Sequence, residues 1–307
     1  MRETSTTPRT DPAALKERLG RVGVWLARPC FDSAATSRAA AVTIEELGYR
    51  ALWFGELLGG KEALVNASIL LSATDDLMVA TGIANIWARD ATAVAAGANA
   101  LAEAWEGRFV LGLGVSHAPL VRPRGHAYGR PVATMRAYLD AMDQAPYRAP
   151  LPEPPARVLA ALRTRMLRLA AERAQGAHTY FVTPEHTMRA REILGPDPLL
   201  APEQAFVLET GPDRARAAAR AYMSFYLELP NYLNSLRELG WSDADFEGGG
   251  SDALVDAIVP WGDPDTVAER VRAHHEAGAD HVCVQPLADT TDACVEQLRR
   301  LAPAVLG

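Results

Sequence analysis

A histidine that closes an apolar run, Arg108-Phe109-Val110-Leu111-Gly112-Leu113-Gly114-Val115-Ser116-His117, is the clearest candidate for acid–base chemistry in the chain. Imidazole exchanges its proton near neutrality, so a histidine held at a strand end can serve as general acid or base. The plainer alternative is a core strand with a capping histidine. Gly112 and Gly114 carry no side chain, which would let a flat ligand lie close to the backbone. Other polar residues also stand just beyond apolar runs: Glu56, Asn85 with Arg89, Ser116, Arg163 with Thr164, Thr183 with Glu185 and His186, Glu209 with Thr210, and Gln285. Arg163-Thr164-Arg165 has a further use, because free N–H groups at a helix start attract a phosphate. A solvated basic helix face, continued by Arg168 and Arg173, is the competing explanation.

Metal chemistry finds little support. There is no HxH, no HExxH and no histidine pair four residues apart on a helix. His274 and His275 are adjacent and point to different sides, predicting one partly buried and one solvated ring. His126 and His281 are read as structural.

The elements that must position these residues follow from periodicity. Apolar runs predict strands at Val22–Leu26, Ala51–Phe54, Leu77–Ile83, the run ending at His117, Arg157–Leu162, Gly176–Val182, Ala205–Leu208 and Asp280–Pro286. Helical stripes separate them, with Asp90 and Thr183 as N-cap candidates and Gly48, Gly195 and Gly278 as stops. After the seventh strand, Ala218, Ala221, Tyr222 and Phe225 mark the expected buried side of a helix, and residues 227–259 read as an insertion of short helices. Eight strands alternating with helices predict an α/β fold, a (β/α)8 TIM barrel with helical insertions after the fourth and seventh strands. The domain reading is a tail and short helix over 1–20 and one barrel over 21–307. An open doubly wound sheet is the structural alternative, but its GxGxxG fingerprint is missing after the first strand, where Gly23 stands alone.

Composition narrows the function classes. The 307 residues are 49% hydrophobic and 22% charged, ordinary for a globular protein. A formal charge of −7 argues against nucleic acid as partner. The lysines are Lys16 and Lys61, in a leading segment and a Gly-Gly loop, which argues against Schiff-base and Walker-type chemistry. Cys30, Cys283 and Cys294 form no CxxC and suit a reducing compartment. Met1 to Asp11 has no apolar h-region, and no uncharged apolar stretch approaches the ~18 residues of a spanning helix. A cytoplasmic protein without membrane contact is expected.

The segments Arg21–Trp25, Ala51–Glu56, Thr81-Gly82-Ile83-Ala84-Asn85 with Arg89-Asp90, and Gly112–His117 resemble the luciferase-like flavin and deazaflavin oxidoreductases. So do Leu159–Met166, Glu172–Thr187 and Gly278–Gln285, which extend the likeness over nearly the whole chain in the family's order. The branch resembled more closely uses the 8-hydroxy-5-deazaflavin coenzyme F-420; FMN is the alternative cofactor. The resemblance implies a cis peptide at Gly82–Ile83 forming a bulge behind the cofactor ring. It also implies a phosphate turn at Ala161, Leu162, Arg163 and Thr164, and His117 beside the reactive carbon. Asn85, Gly112, Gly114 and Ser116 complete the expected cofactor contacts, with Glu56 and His186 orienting the substrate or assisting proton transfer. The family often has glycines where this chain has Leu162-Arg163-Thr164, and often an aspartate where it has Gln175. The implied activity is hydride transfer between F-420 and a small organic molecule, by a homodimer. An FMN-dependent monooxygenase and a non-catalytic cofactor- or partner-binding barrel are the rivals.

Overall fold

Strands whose side chains are buried on both faces need a cover on both sides, and a barrel wrapped in helices supplies it. The computed structural model describes residues 11–307; the expected tail over residues 1–10 lies outside the described residues. Among the described residues the strand segments are β1 Val22–Leu26, β2 Ala51–Phe54, β3 Met78–Thr81, β4 Ala84–Asn85, β5 Phe109–Gly114, β6 Ala156–Ala160, β7 Gly176–Thr179, β8 Leu199–Phe206 and β9 Val282–Pro286. All pair in parallel, in the order β3-β2-β1-β9-β8-β7-β6-β5-β4, and β3 also pairs with β5. Because β3 and β4 are halves of one strand broken at Gly82–Ile83, the sheet closes into an eight-stranded (β/α)8 barrel.

The helices are α1 Pro12–Leu19, α2 Ala34–Glu46, α3 Ala63–Leu71, α4 Ala91–Ala104, α5 Ala118–Val121, α6 Pro131–Asp143, α7 Thr164–Arg173, α8 Pro184–Leu194, α9 Pro212–Tyr226, α10 Pro230–Glu238, α11 Asp252–Ile258, α12 Pro264–Glu276 and α13 Thr291–Leu306. Alternation along the strands divides the core in two. Trp25, Trp53, Met78, Val110, Val158 and Leu199 point into the barrel, where Leu15 and Leu19 of α1 close the lower end. Leu52, Phe54, Leu111, Leu159 and Val284 point outward to the helices. Asp90 caps α4 as expected, accepting from the Ala93 amide at 2.9 Å. Thr183 occupies the N-cap of α8 but its side chain makes no capping bond. Among the described residues no helix is long and apolar enough to cross a membrane.

Four sequence expectations shift. The strand expected over Gly176–Val182 stops at Thr179, and the one expected over Ala205–Leu208 starts six residues earlier at Leu199. Pro202-Glu203-Gln204 disguised that strand, since proline and charged residues seldom sit in a sheet interior. The insertion after β8 begins with α9, whose buried residues are Ala215, Ala219 and Met223. Ala221 and Phe225 are exposed, because α9 lies over the barrel mouth instead of along its wall. His274 is fully buried and His275 half-buried, both deeper than adjacency alone predicts. His274 bridges Thr187 Oγ1 and Gln204 Oε1, each at 2.8 Å.

Candidate active site

Carboxyl ends of barrel strands converge on a common mouth, which is where such folds hold their chemistry. A cavity of about 190 Å³ lies there, lined by Trp25, Gly82, Ile83, His117, His178 and Tyr180 from the strand ends and by Phe225, Tyr226 and Tyr232 from α9 and α10. A larger cleft of about 770 Å³, bordered by Arg50, Met78 and Arg108, opens at the opposite, amino ends of the strands. Strand polarity makes the smaller one the candidate site.

β5 delivers His117 to this cavity. Ser116 takes φ 55, left-handed backbone for a residue with a side chain, and its carbonyl accepts from the Tyr128 hydroxyl at 3.0 Å. The chain turns there, and His117 becomes the N-cap of α5 with its ring 5.2 Å from that of Tyr232. Burial lowers the His117 pKa to about 4. The imidazole is therefore neutral at pH 7 and suited to accept a proton.

The peptide bond Gly82–Ile83 is cis, as the resemblance implies. Beside it, Trp25 Nε1 donates to the Gly82 carbonyl at 3.1 Å. Gly112 and Gly114 face the barrel interior, and Gly114 also lines the cavity. A Cβ at Gly112 would stand 1.8 Å from the Thr81 carbonyl oxygen, and one at Gly114 would stand 2.5 Å from the Ile83 side chain. Both glycines make room for the neighbouring β3–β4 bulge. At Gly112 the space a side chain would take is filled by the Thr81 carbonyl, while Gly114 keeps a place in the cavity wall. Asn85 is buried in β4, where its Oδ1 accepts from the Trp87 amide at 3.0 Å, and it does not line the cavity.

Glu56 does line the cavity, yet its carboxylate is engaged. Oε1 pairs with Arg89, and Oε2 accepts from the Asn85 amide at 2.7 Å. The geometry makes it a brace for β4. His186 is not in the cavity: it is buried on α8, where Nε2–H donates to the Leu162 carbonyl at 2.7 Å. Its place after the sixth strand was legible, but helix phase turned the ring sideways toward α7. Ala161 and Leu162 reach the cavity, whereas Arg163 and Thr164 border a separate gap of about 10 Å³.

Several cavity residues escape a search that collects only strand ends. His178 sits inside β7, stacked on Trp53 at 4.8 Å, with Nδ1–H donating to the Ala201 carbonyl at 2.8 Å. Its Nε2 is buried without a partner and lies beside Gly82. The two-residue period Gly176, His178, Tyr180 is the signal that identifies the inward side.

Buried neutral histidines give the protein an acid limit. Burial lowers His178 and His281 to about 4 and His274 to about 3. Unfolded histidine titrates near 6.5, so the unfolded chain binds more protons below that pH. Their stabilising contribution is complete above about 6.5 and is lost as pH falls toward 4, on the order of 1 kcal/mol per pH unit for each ring. Urea midpoints measured at descending pH should fall across this window, and His274→Gln should flatten the slope. An unchanged slope would show that the ring is not neutral in the fold.

The family model for luciferase-like monooxygenases matches residues 19–281. No curated protein sequence matches the chain significantly. Among solved structures, an F-420-dependent secondary alcohol dehydrogenase in complex with an F-420–acetone adduct superposes with TM-score 0.72 at 14% identity, covering 93% of this chain and 98% of that one. The coenzyme F-420-dependent tetrahydromethanopterin reductase of Methanopyrus kandleri gives 0.73 at 16% identity, covering 92% and 98%. The oxygenating constituent of 3,6-diketocamphane monooxygenase from Pseudomonas putida, in complex with FMN, gives 0.69 at 18% identity, with coverage of 92% and 98%. At these identities the superpositions establish the shared fold, while the family model spans most of the sequence. The chain belongs to the luciferase-like monooxygenase family.

Proposed function

We propose that the protein is an oxidoreductase that transfers a hydride between coenzyme F-420 and a small organic substrate. The observation that carries this reading is the neutral His117 facing a mostly apolar cavity behind the Gly82–Ile83 bulge. A bound deazaflavin would supply or take up the hydride. His117 accepts or returns the proton of the reacting hydroxyl, and the aromatic walls exclude water.

The residues present suit the ring of such a coenzyme better than its phosphate. Trp25, Ile83 and Tyr180 offer apolar surface, and the unpartnered His178 Nε2 is an acceptor for a ring N–H. At the start of α7 no side chain caps the helix, as phosphate binding requires, but Arg163 is paired with Glu238 of α10 at 2.6 Å. The remaining gap of about 10 Å³ cannot admit a phosphate. In this arrangement of α10 the cradle does not fit the group.

That closure favours a second reading, a barrel that binds a small apolar molecule without catalysis. Titrating the protein with oxidised and reduced F-420, and separately with FMN, distinguishes the readings by absorbance. Saturable binding of F-420 with anaerobic turnover supports the first; oxygen consumption with FMN supports a monooxygenase. Glu238→Ala removes the carboxylate above the helix start and should tighten binding of either coenzyme about ten-fold, ~1.4 kcal/mol. Equal absence of binding in both proteins would support the non-catalytic barrel.

We also propose a homodimer formed through the helices after the early strands, where Phe31, Leu58 and Val65 are all more than half exposed. A monomeric mass in sedimentation at micromolar concentration would contradict it.

A further inference from the structure

One face of α10 touches both the cavity and the start of α7. Asn231 and Tyr232 line the cavity, while Ser235, Glu238 and Leu239 border the gap of about 10 Å³ beside Arg163 and Thr164. These positions follow the three-to-four residue spacing of a single helix stripe. Tyr232 and Glu238 are separated along the axis by about 9 Å. A helix this short moves as one piece, so a shift at either end reaches the other.

Charge fastens the Glu238 end. Its carboxylate meets Arg163 at 2.6 Å and Arg189 of α8 at 3.4 Å, and Arg189 also donates to the Glu238 carbonyl at 3.2 Å. Arg163 stands at the N-cap of α7, where no side chain caps the free N–H groups. Glu238 therefore puts a negative charge where a helix start attracts one. His186 borders the same gap at 3% exposure; its Nε2–H is spent on the Leu162 carbonyl, and Nδ1 is buried with no partner. An ionised carboxylate only accepts, so Glu238 cannot satisfy that bare acceptor. The O–H of a hydrogen phosphate can donate to it.

Little else holds α10. Only Tyr232, Ser235 and Leu236 are buried along it, and other helices and strands approach its backbone sparsely. Beyond it Gly240 takes φ 98 with open space around it, a point where the chain can turn. Arg163 and Arg189 are nearly half exposed, and ion pairs that water reaches are weak. At the other end the Tyr232 ring lies 5.2 Å from that of His117 and 5.3 Å from that of Tyr226.

We propose that Glu238 is a built-in substitute for phosphate and that α10 is a latch. A phosphate group arriving at the start of α7 displaces the carboxylate, because the gap cannot hold both and their charges repel. The freed helix carries Tyr232 away from His117, so an anion at one end of α10 opens the cavity at the other. The latch belongs to the chain alone and does not depend on the redox reading.

Inorganic phosphate and the protein without coenzyme test it. Glu238→Gln keeps the size of the side chain and removes its charge. Calorimetry should show phosphate binding to this variant about ten-fold tighter than to the parent, and adding Arg163→Ala should abolish the gain. Hydrogen exchange of the α10 amides should be about ten-fold faster in Glu238→Gln than in the parent, and phosphate should accelerate it in the parent. The cavity end supplies a third readout. Diethyl pyrocarbonate modifies accessible neutral imidazole, so mass spectrometry should find His117 modified several-fold faster in Glu238→Gln, and in the parent once phosphate is added. Equal phosphate affinity of parent and variant would overturn the role of Glu238. Tighter phosphate binding with α10 exchange and His117 reactivity unchanged would overturn the latch. Either result leaves the hydride-transfer reading intact, since no coenzyme is present.

Discussion

His117→Ala should fold like the parent and slow the hydride transfer proposed above by about 100-fold or more. The ring is half-buried at a helix N-cap and contributes no capping bond, so its loss leaves β5 and α5 intact. What disappears is a neutral base at the cavity wall. Because burial lowers its pKa to about 4, the parent should hold its rate from neutrality down to that region and lose it as pH falls through it. Stopped-flow measurement of coenzyme oxidation or reduction separates this step from binding, and the variant's Kd for coenzyme should stay close to the parent's. An unchanged rate would remove His117 from the mechanism.

Gly112→Ala should cost about 3 kcal/mol or more of stability, the upper range for forced overpacking. The reason is backbone, not side chain. The added methyl would meet the Thr81 carbonyl oxygen at 1.8 Å, and Thr81 Oγ1 already bridges Gly112, donating to its carbonyl at 2.8 Å and accepting from its amide at 2.9 Å. Neither partner can retreat without breaking the β3–β5 register. Gly114→Ala is the control. Its methyl would meet Cγ1 and Cδ1 of Ile83, side-chain atoms and not backbone, so a smaller loss of about 1 kcal/mol is expected and the disturbance should appear in the cavity as weaker coenzyme binding. Urea denaturation compares the two. Equal and small losses would mean that the bulge does not need these glycines.

These two residues also show how far local pattern reaches. The run from Phe109 to Gly114 was legible as a buried strand, and a polar pair at its end was legible as a site, because both depend on neighbours in sequence. His117 lines the cavity at the carboxyl ends of the strands. What the glycines make room for was not legible, since Thr81 and Ile83 belong to a different strand. His186 illustrates the same limit. Its distance from the preceding strand was readable, but the direction of its ring depends on the phase of α8 and on the Leu162 carbonyl that receives it.

Glu203 and Glu238 lay further out of reach. A carboxylate after a proline looks like loop, and only the neighbouring strands that bury β8 reveal an acid inside the barrel. Glu238 stands 75 residues from the Arg163 that it neutralises, in an insertion with no periodic relation to the phosphate turn. By itself, the sequence determined the order of strands and helices, the apolar faces and the ends where polar residues gather, because periodicity and capping act over a few residues. The tertiary structure decided which of those residues share a cavity and which atoms already fill a gap. It also decided which titratable groups stay neutral, because burial and partner choice are set by segments distant in the chain.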